Sequence, residues 1–220
     1  MMPLLFIFYL IYYGALLLTC AITGCRLIRR HWAFWARLLV ILSCVTFLVE
    51  ALIVFLDSRY IYRGTIYTFW LFLETACLLF ILSHGTALPW GKRLFKVLLV
   101  ALPPGAALCF ILLPFVGGIN IYAMLLYLFL ELAAACTVLI DILTDVSDKP
   151  MHSKPMFWLA AGMLFYCSIF IVIYSLGRFI RILYYPYYIP FSIAANTFMY
   201  GGFIACFVTL RRMDRKALQE

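Results

Sequence analysis

The chain has 220 residues, of which 67% are hydrophobic and only 12% are charged. Soluble domains carry about 45–50% apolar and about 25% charged residues, so the composition excludes a separate soluble domain and indicates a membrane protein. We attribute the formal net charge of +8 to membrane topology and to attraction for anionic lipids, and we therefore expect no nucleic-acid partner.

Seven apolar stretches follow one another along the chain, and each has about the 20 residues that a helix needs to cross a bilayer. Their apolar runs are continuous, whereas barrel strands alternate. We therefore predict an all-α, polytopic membrane protein, a bundle of seven transmembrane helices formed by one domain, residues 1–210, with a short basic cytoplasmic tail, residues 211–220. The predicted spans are residues 3–25, 36–56, 65–84, 94–115, 119–141, 157–178 and 189–210.

Some features of single spans refine this layout. The first span has no charged residue before it and a basic cluster after it, so we expect a retained anchor, not a cleaved signal peptide. The fourth span is apolar apart from Pro103-Pro104-Gly105, which predicts a kinked helix that faces lipid. The tyrosine-rich stretch 184–188 is predicted to connect the last two spans.

The distribution of Lys and Arg predicts the orientation. With these spans, thirteen of the 17 basic residues lie on the side of the C-terminal tail. The N-terminus is therefore predicted outside and the C-terminus in the cytoplasm. The four basic residues of the outer side are Arg59, Arg63, Arg178 and Arg181, and the last two are close enough in depth to reach towards Glu50.

Three acidic residues lie inside the predicted spans. Glu74 is near the centre of the third span and Glu131 near the centre of the fifth, whereas Glu50 lies in the outer half of the second. Asn196 lies at about the depth of Glu50 in the seventh span. An ionisable residue inside a bilayer is costly and is a functional candidate by default. The grouping from mid-depth outward predicts one polar cavity that faces the outside.

Hydroxyl groups at similar depths complete the predicted proton- or ligand-binding site. Burial favours the neutral form of a carboxyl group, and a second carboxylate nearby favours it further, so we expect at least one glutamate to be protonated at neutral pH. The alternative is structural, because a buried glutamate can also serve as an interhelical hydrogen-bond donor. The predicted site residues are Glu50, Glu74, Glu131, Asn196, Tyr67, Tyr127 and Tyr166.

The remaining reactive residue types predict no further chemistry. The eight cysteines lie in or at the end of apolar stretches without a C-x-x-C pair, which is typical of small buried hydrophobic residues. Asp141, Asp145, Asp148 and His152 follow the fifth span, where a solvated loop is favoured over a metal site. No phosphate-binding loop or catalytic motif occurs. We therefore expect neither an enzyme nor a cofactor or metal.

The last two spans carry a resemblance. The stretches KPMFWLAAGMLFYCSIFIVIYSL (154–176) and FSIAANTFMYGGFIACFVTLRR (191–212) resemble a group of poorly characterised small bacterial seven-helix proteins, which are similar to the membrane input modules of histidine kinases. The resemblance implies a sensor in the bacterial cytoplasmic membrane. It also implies that the output is carried by a partner protein such as a histidine kinase.

The leading hypothesis is therefore a receptor-like membrane sensor or accessory signalling module, with a small ligand, a lipid or a proton entering the acidic cavity. One alternative is a small proton-coupled transporter with helices arranged 3+1+3, which requires polar residues to continue inward from Glu74. The other alternative is a structural subunit of a membrane complex, in which the glutamates only hold helices together.

Overall fold

A computed structural model describes residues 2–29, 32–55, 60–112, 120–145, 150–177 and 181–217, with side chains for 10–29, 32–52, 66–111, 120–145, 150–175 and 188–215. Within these ranges the chain forms seven long helices, a single turn of 3₁₀ helix at Met151–Ser153, and no strand. All seven helices are long and apolar enough to cross a membrane, so the predicted all-α membrane bundle is confirmed. The helices are α1 (Met2–Leu27), α2 (Phe34–Phe55), α3 (Tyr60–Ser83), α4 (Pro89–Leu112), α5 (Ile121–Thr144), α6 (Pro155–Gly177) and α7 (Arg181–Ala217).

The last helix is longer than predicted at both ends. It begins at Arg181 instead of residue 189, so the stretch 184–188 lies within α7 and is not a connection. The prediction placed Pro186 in a connection between the last two spans, but membrane helices tolerate proline because other groups satisfy the freed backbone. At the other end α7 runs through the basic tail to Ala217, since Arg and Lys are good helix formers and interact favourably with a helix C-terminus.

Six of the seven helices form a closed ring. Neighbouring helices pack together in the order α1, α2, α3, α5, α6, α7 and back to α1. Helix α4 lies outside this ring, and its main contacts are with α3 and α5. Its outer face is exposed, with Val100 at 74% and Ile111 at 79%. Helix α4 thus covers the ring from outside, and its contact with lipid stays a prediction. Pro103 and Pro104 lie within α4, which is one helix from Pro89 to Leu112.

Backbone contact between α6 and α7 depends on two glycines. A β-carbon on Gly202 would lie 2.6 Å from the carbonyl oxygen of Trp158, and one on Gly162 would lie 2.6 Å from that of Phe198. No real β-carbon makes so short a contact, so only glycine fits at either position. Small residues of this kind allow membrane helices to approach closely and to gain van der Waals contact.

Helices α1 and α7 are joined at three depths. The hydroxyl groups of Tyr12 and Thr197 are 2.6 Å apart. Further along, a β-carbon on Gly24 would lie 3.1 Å from the ring of Phe207. At the end of the pair the indole Nε1 of Trp32 donates a hydrogen bond to Asp214. The segment that follows α1 is therefore held against the C-terminal turns of α7.

The acidic residues at the C-terminal end of α5 have structural partners. Asp141 is 9% exposed, and its carboxylate accepts a hydrogen bond from the backbone N–H of Ala87, just before α4. Asp145 forms an ion pair with Lys154. The described part of the chain contains no cluster of metal-ligating residues, and Asp148 lies outside it. The solvated-loop interpretation is thus wrong for Asp141, because its carboxylate is buried against the connection between α3 and α4.

These contacts yield a matched pair of predictions. We expect Asp141→Ala to lower the free energy of unfolding by about 1–3 kcal/mol, because the N–H of Ala87 loses a charged acceptor. Asp145→Ala should cost less than about 1 kcal/mol, since its ion pair is partly exposed. Thermal unfolding of the purified variants in one detergent measures both costs. Equal losses would contradict the assignment of Asp141 as a buried link.

Candidate functional site

Two helix faces of matching pattern meet inside the ring. Residues 71, 74, 75 and 78 of α3 and residues 124, 127, 128 and 131 of α5 repeat the spacing i, i+3, i+4, i+7, which puts each set on one side of its helix. Both sets line a single cavity, which is completed by α6 and α7. The ring order explains the meeting, because α3 packs directly on α5 while α4 lies outside.

Carboxyl and phenol groups supply the polar part of this cavity. Glu74 and Glu131 are 6% and 5% exposed, and both line it together with Tyr127, Tyr166 and Tyr174. The space between the side chains has room for about one or two water molecules. The buried hydroxyl of Tyr127 has no hydrogen-bond partner among the described residues. The cavity therefore offers room for water beside two acids.

Glu131 is held by hydrogen bonds to both of its carboxyl oxygens. The hydroxyl of Thr75, in α3, donates to Oε1 at 2.6 Å, and the thiol of Cys167, in α6, donates to Oε2 at 3.6 Å. Hydrogen bonds of this kind stabilise the charged form of a carboxyl group. Glu131 thus joins α5 to the neighbouring helices on both sides of the ring.

Glu74 has weaker support than Glu131. In the described part of the structure it makes one long hydrogen bond, 3.4 Å from the hydroxyl of Thr46 in α2. It interacts electrostatically with Glu131 and with Glu50. The two central carboxyl groups are therefore similar in burial but different in environment.

A second polar group adjoins the cavity from α1, α2 and α7. The hydroxyl of Tyr13 donates to Glu50 at 3.3 Å, and its ring lies 6.1 Å from that of Tyr200. Tyr200 is 2% exposed and close enough to Glu74 for electrostatic interaction. Polar residues from all six ring helices thus surround the centre of the bundle.

The structure brings together most of the predicted site, but not all of it. Glu74, Glu131, Tyr127 and Tyr166 line the cavity. Glu50 lies beside it as part of the group formed by Tyr13 and Tyr200, and Tyr67 interacts with Tyr13. Asn196 does not line the cavity, because its side-chain amide donates to the carbonyl oxygen of Ser192 in its own helix. The side chains of Arg178 and Arg181, predicted to reach towards Glu50, lie outside the described residues.

Thr75 and Tyr174 line the cavity although they are not among the predicted site residues, and four further residues around it were not predicted either. They are Tyr13, Thr46, Cys167 and Tyr200, which come from α1, α2, α6 and α7. The sequence contained a signal for two of them, since Thr46 is one helical turn before Glu50 and Cys167 follows Tyr166. Tyr13 and Tyr200 had no such signal, because neither has an acidic residue within a helical turn in the sequence.

The cavity is closed on one side by apolar residues. Beyond it, towards the C-terminal end of α3, the ring is filled by side chains that are at most 1% exposed: Leu82, Val138, Leu159, Met163, Phe203 and Phe207. Under the predicted orientation this plug lies on the cytoplasmic side. The buried hydroxyls of Ser43 and Thr137 on this side do not line the cavity, and each donates to a carbonyl oxygen of its own helix.

A hydrogen-bond prediction tests the geometry around Glu131. We expect Thr75→Val to destabilise the protein by about 0.6–2 kcal/mol, the value of an interhelical hydrogen bond in a membrane protein. Thr137→Val is the matched control, because Thr137 is equally buried but donates only to Ala133 in its own helix. Chemical unfolding in mixed detergent micelles measures the difference. The contact is refuted if both substitutions have the same effect.

Comparison with known proteins does not add to this geometry. The chain matches no protein-family model, no curated protein and no solved structure. The resemblance of α6 and α7 to sensor input modules stays a prediction from the sequence. The function therefore has to be argued from the cavity and its surroundings.

Proposed function

We propose that the chain is a receptor-like membrane sensor of protons, in which the pair of glutamates in α3 and α5 takes up and releases one proton. The observation that carries the proposal is the cavity that Glu74 and Glu131 share, which has room for water beside the two side chains. Two carboxyl groups in one apolar enclosure are costly to ionise together. One proton between them removes that cost.

The size and lining of the cavity favour a proton over an organic ligand. Room for about one or two water molecules admits a hydrated proton-transfer site but not a metabolite. The described residues that line the cavity include no Lys or Arg, so none of them supplies a fixed counter-charge to the two acids. A mobile positive charge is the remaining way to balance them.

The hydrogen bonds support different roles for the two acids. Glu131 accepts from Thr75 and Cys167, which suits the charged form. Among the described residues, Glu74 accepts only the long hydrogen bond from Thr46, which suits the neutral form in an apolar enclosure. Glu74 is the group that holds the proton, and Glu131 is the carboxylate that stays beside it.

Release of this proton would shift the packing of the ring. A second negative charge in the cavity repels the first and favours any arrangement that separates α3 from α5 or admits water. The response is a population shift between two packings, and its extent depends on the difference in free energy that the proton makes. Tyr200 borders Glu74 and belongs to α7, which runs without interruption to Ala217.

The output surface in this proposal is the basic end of the bundle. Arg212 and Arg215 of α7 are exposed there, and Trp32 joins this end to the segment after α1. Under the predicted orientation the surface faces the cytoplasm of a bacterial cell, with the chain in its cytoplasmic membrane. A signalling partner such as a histidine kinase, as the resemblance implies, would contact the bundle at this surface.

Trp70 offers a direct test, because it lies one helical turn before Glu74 and its indole Nε1 has no described partner. In proteoliposomes we expect tryptophan fluorescence to change with pH in the wild type, and the change to be lost in Glu74→Gln. A Trp70→Phe variant identifies which part of the signal comes from α3. A pH response that survives in Glu74→Gln would refute the role of Glu74, and a wild type without any response would favour a structural subunit.

The same vesicles separate sensing from proton-coupled transport. The apolar plug beyond the cavity, with Leu82 and Val138 at 0% exposure, favours a site that does not open to both sides. A pH-sensitive dye inside the vesicles should therefore report no protein-dependent proton flux when a pH gradient is applied. Flux that is abolished by Glu74→Gln would overturn the sensor in favour of the transporter.

A further inference from the structure

Two cysteine thiols meet at the contact between α1 and α2. The sulfur atoms of Cys25 and Cys44 are 3.5 Å apart, and both residues are free cysteines. They are 19 positions apart in the sequence, so the spacing alone gives no indication of a pair. Among the eight cysteines, all of which the structure describes, theirs is the one sulfur–sulfur contact. The prediction that every cysteine is only a small buried hydrophobic residue does not fit this pair.

The two thiols differ in accessibility in a way that suits oxidation. Cys25 is exposed and lies within one helical turn of the end of α1, whereas Cys44 is half-buried in α2. Susceptibility of a cysteine to oxidation follows its exposure and its thiolate character. A dissolved oxidant therefore reaches Cys25 first and finds a second thiol in contact with it.

We propose that Cys25 and Cys44 form a redox-sensitive pair that closes to a disulfide between α1 and α2. With hydrogen peroxide as the oxidant, the Cys25 thiolate attacks one peroxide oxygen, which gives a sulfenic acid and, after proton uptake by the leaving hydroxide, one water. The Cys44 thiol then attacks the sulfenic sulfur, the S–S bond forms, and a second water leaves. Both sulfurs are oxidised by one electron each, and one peroxide is reduced to two waters.

Closure requires only a local movement of the side chains towards each other. Sulfur atoms in a disulfide are about 2.05 Å apart, so the two thiols must approach by roughly 1.5 Å. In a reducing cytoplasm, which the predicted orientation places at this end of α1, the pair is held as thiols until an oxidant rises. The bond would fix α1, which carries Tyr13, against α2, which carries Glu50. It would thus act on the outer part of the polar core, independently of any proton at Glu74.

The experiment counts thiols before and after treatment with hydrogen peroxide. A variant that retains only Cys25 and Cys44 is denatured and labelled with a maleimide polymer, and its gel shift reports the free thiols. We expect two labels before oxidation, none after it, and two again after reduction. The matched control retains only Cys25 and Cys109, on α1 and α4, which do not form a main packing pair. It should keep the label on Cys109 at the same peroxide dose, because Cys25 alone stops at the sulfenic acid and forms no disulfide.

A second measurement uses the unaltered chain, so that the result does not depend on folding of a variant. Digestion of oxidised wild-type protein should yield a disulfide-linked peptide pair that contains Cys25 and Cys44, and the melting temperature should rise on oxidation and fall again with reductant. Labels that remain on both thiols, or a bond that links other cysteines, would overturn the proposal.

Discussion

Gly202→Ala is expected to destabilise the bundle, whereas Gly201→Ala, one position earlier, should leave its stability unchanged or raise it by up to about 1 kcal/mol. A methyl group on Gly202 meets the carbonyl oxygen of Trp158 at 2.6 Å, but one on Gly201 meets nothing within 4 Å. Because the obstacle at Gly202 is backbone, α6 and α7 have to move apart to admit it. Overpacking of this kind costs about 1–3 kcal/mol.

The neighbouring control makes this comparison selective. Both substitutions replace glycine by the best helix former, so the gain in helix propensity is the same and only the packing differs. Gly162→Ala should behave like Gly202→Ala, because a β-carbon on Gly162 of α6 would meet the carbonyl oxygen of Phe198 in α7, where the same two helices cross. The measurement is the midpoint of unfolding in detergent for the three variants. If Gly201→Ala and Gly202→Ala unfold together, the close approach of α6 and α7 is refuted.

The sequence predicts the depth of a residue in the membrane better than it predicts which helices become neighbours in the bundle. Hydropathy and length identify all seven helices, and rise per residue puts Glu74 and Glu131 at similar depth. Which helices become neighbours depends on packing between faces, which no single segment contains. That α3 packs on α5, with α4 excluded from the ring, therefore had to come from the structure.

The same distinction explains which site residues were missed. Glu74 and Glu131 were predicted because a charge in an apolar span is conspicuous by itself. Tyr13 and Tyr200 are ordinary tyrosines in sequence, and they matter only because α1 and α7 turn them towards each other. Asn196 shows the opposite error. It has a suitable residue type and depth, but its amide is already bonded within α7.

Helix ends were mispredicted where two local signals disagreed. Around residues 184–188, proline favours a break while the flanking residues form a continuous helix. In the tail, charge suggested a solvated end, although Arg and Lys also sustain a helix. In both places the extra turns belong to α7, the helix that carries Tyr200 and ends beside Trp32.

The largest pH effect is expected from Glu74→Gln. If folding buries Glu74 in its neutral form, the folded protein binds one more proton than the unfolded chain between about pH 4.3, where a solvated glutamate ionises, and the higher pH at which Glu74 releases its proton in the folded protein. Linkage then makes the free energy of unfolding fall as pH rises, by up to about 1.4 kcal/mol per pH unit. Glutamine has nearly the same shape but binds no proton. The substitution should therefore flatten this slope and make the variant the more stable protein at alkaline pH.

Two further glutamate variants show whether the effect belongs to Glu74 itself. Glu131→Gln should keep the slope, because Glu131 already has donors in Thr75 and Cys167 and serves as the charged partner. Glu50→Gln should keep it as well, since Glu50 is only half-buried. Unfolding curves of the four proteins between pH 5 and pH 9, roughly two units on either side of neutrality, supply the slopes. A slope lost in Glu131→Gln but kept in Glu74→Gln would exchange the two roles, and a slope kept in both would mean that the cavity holds no proton.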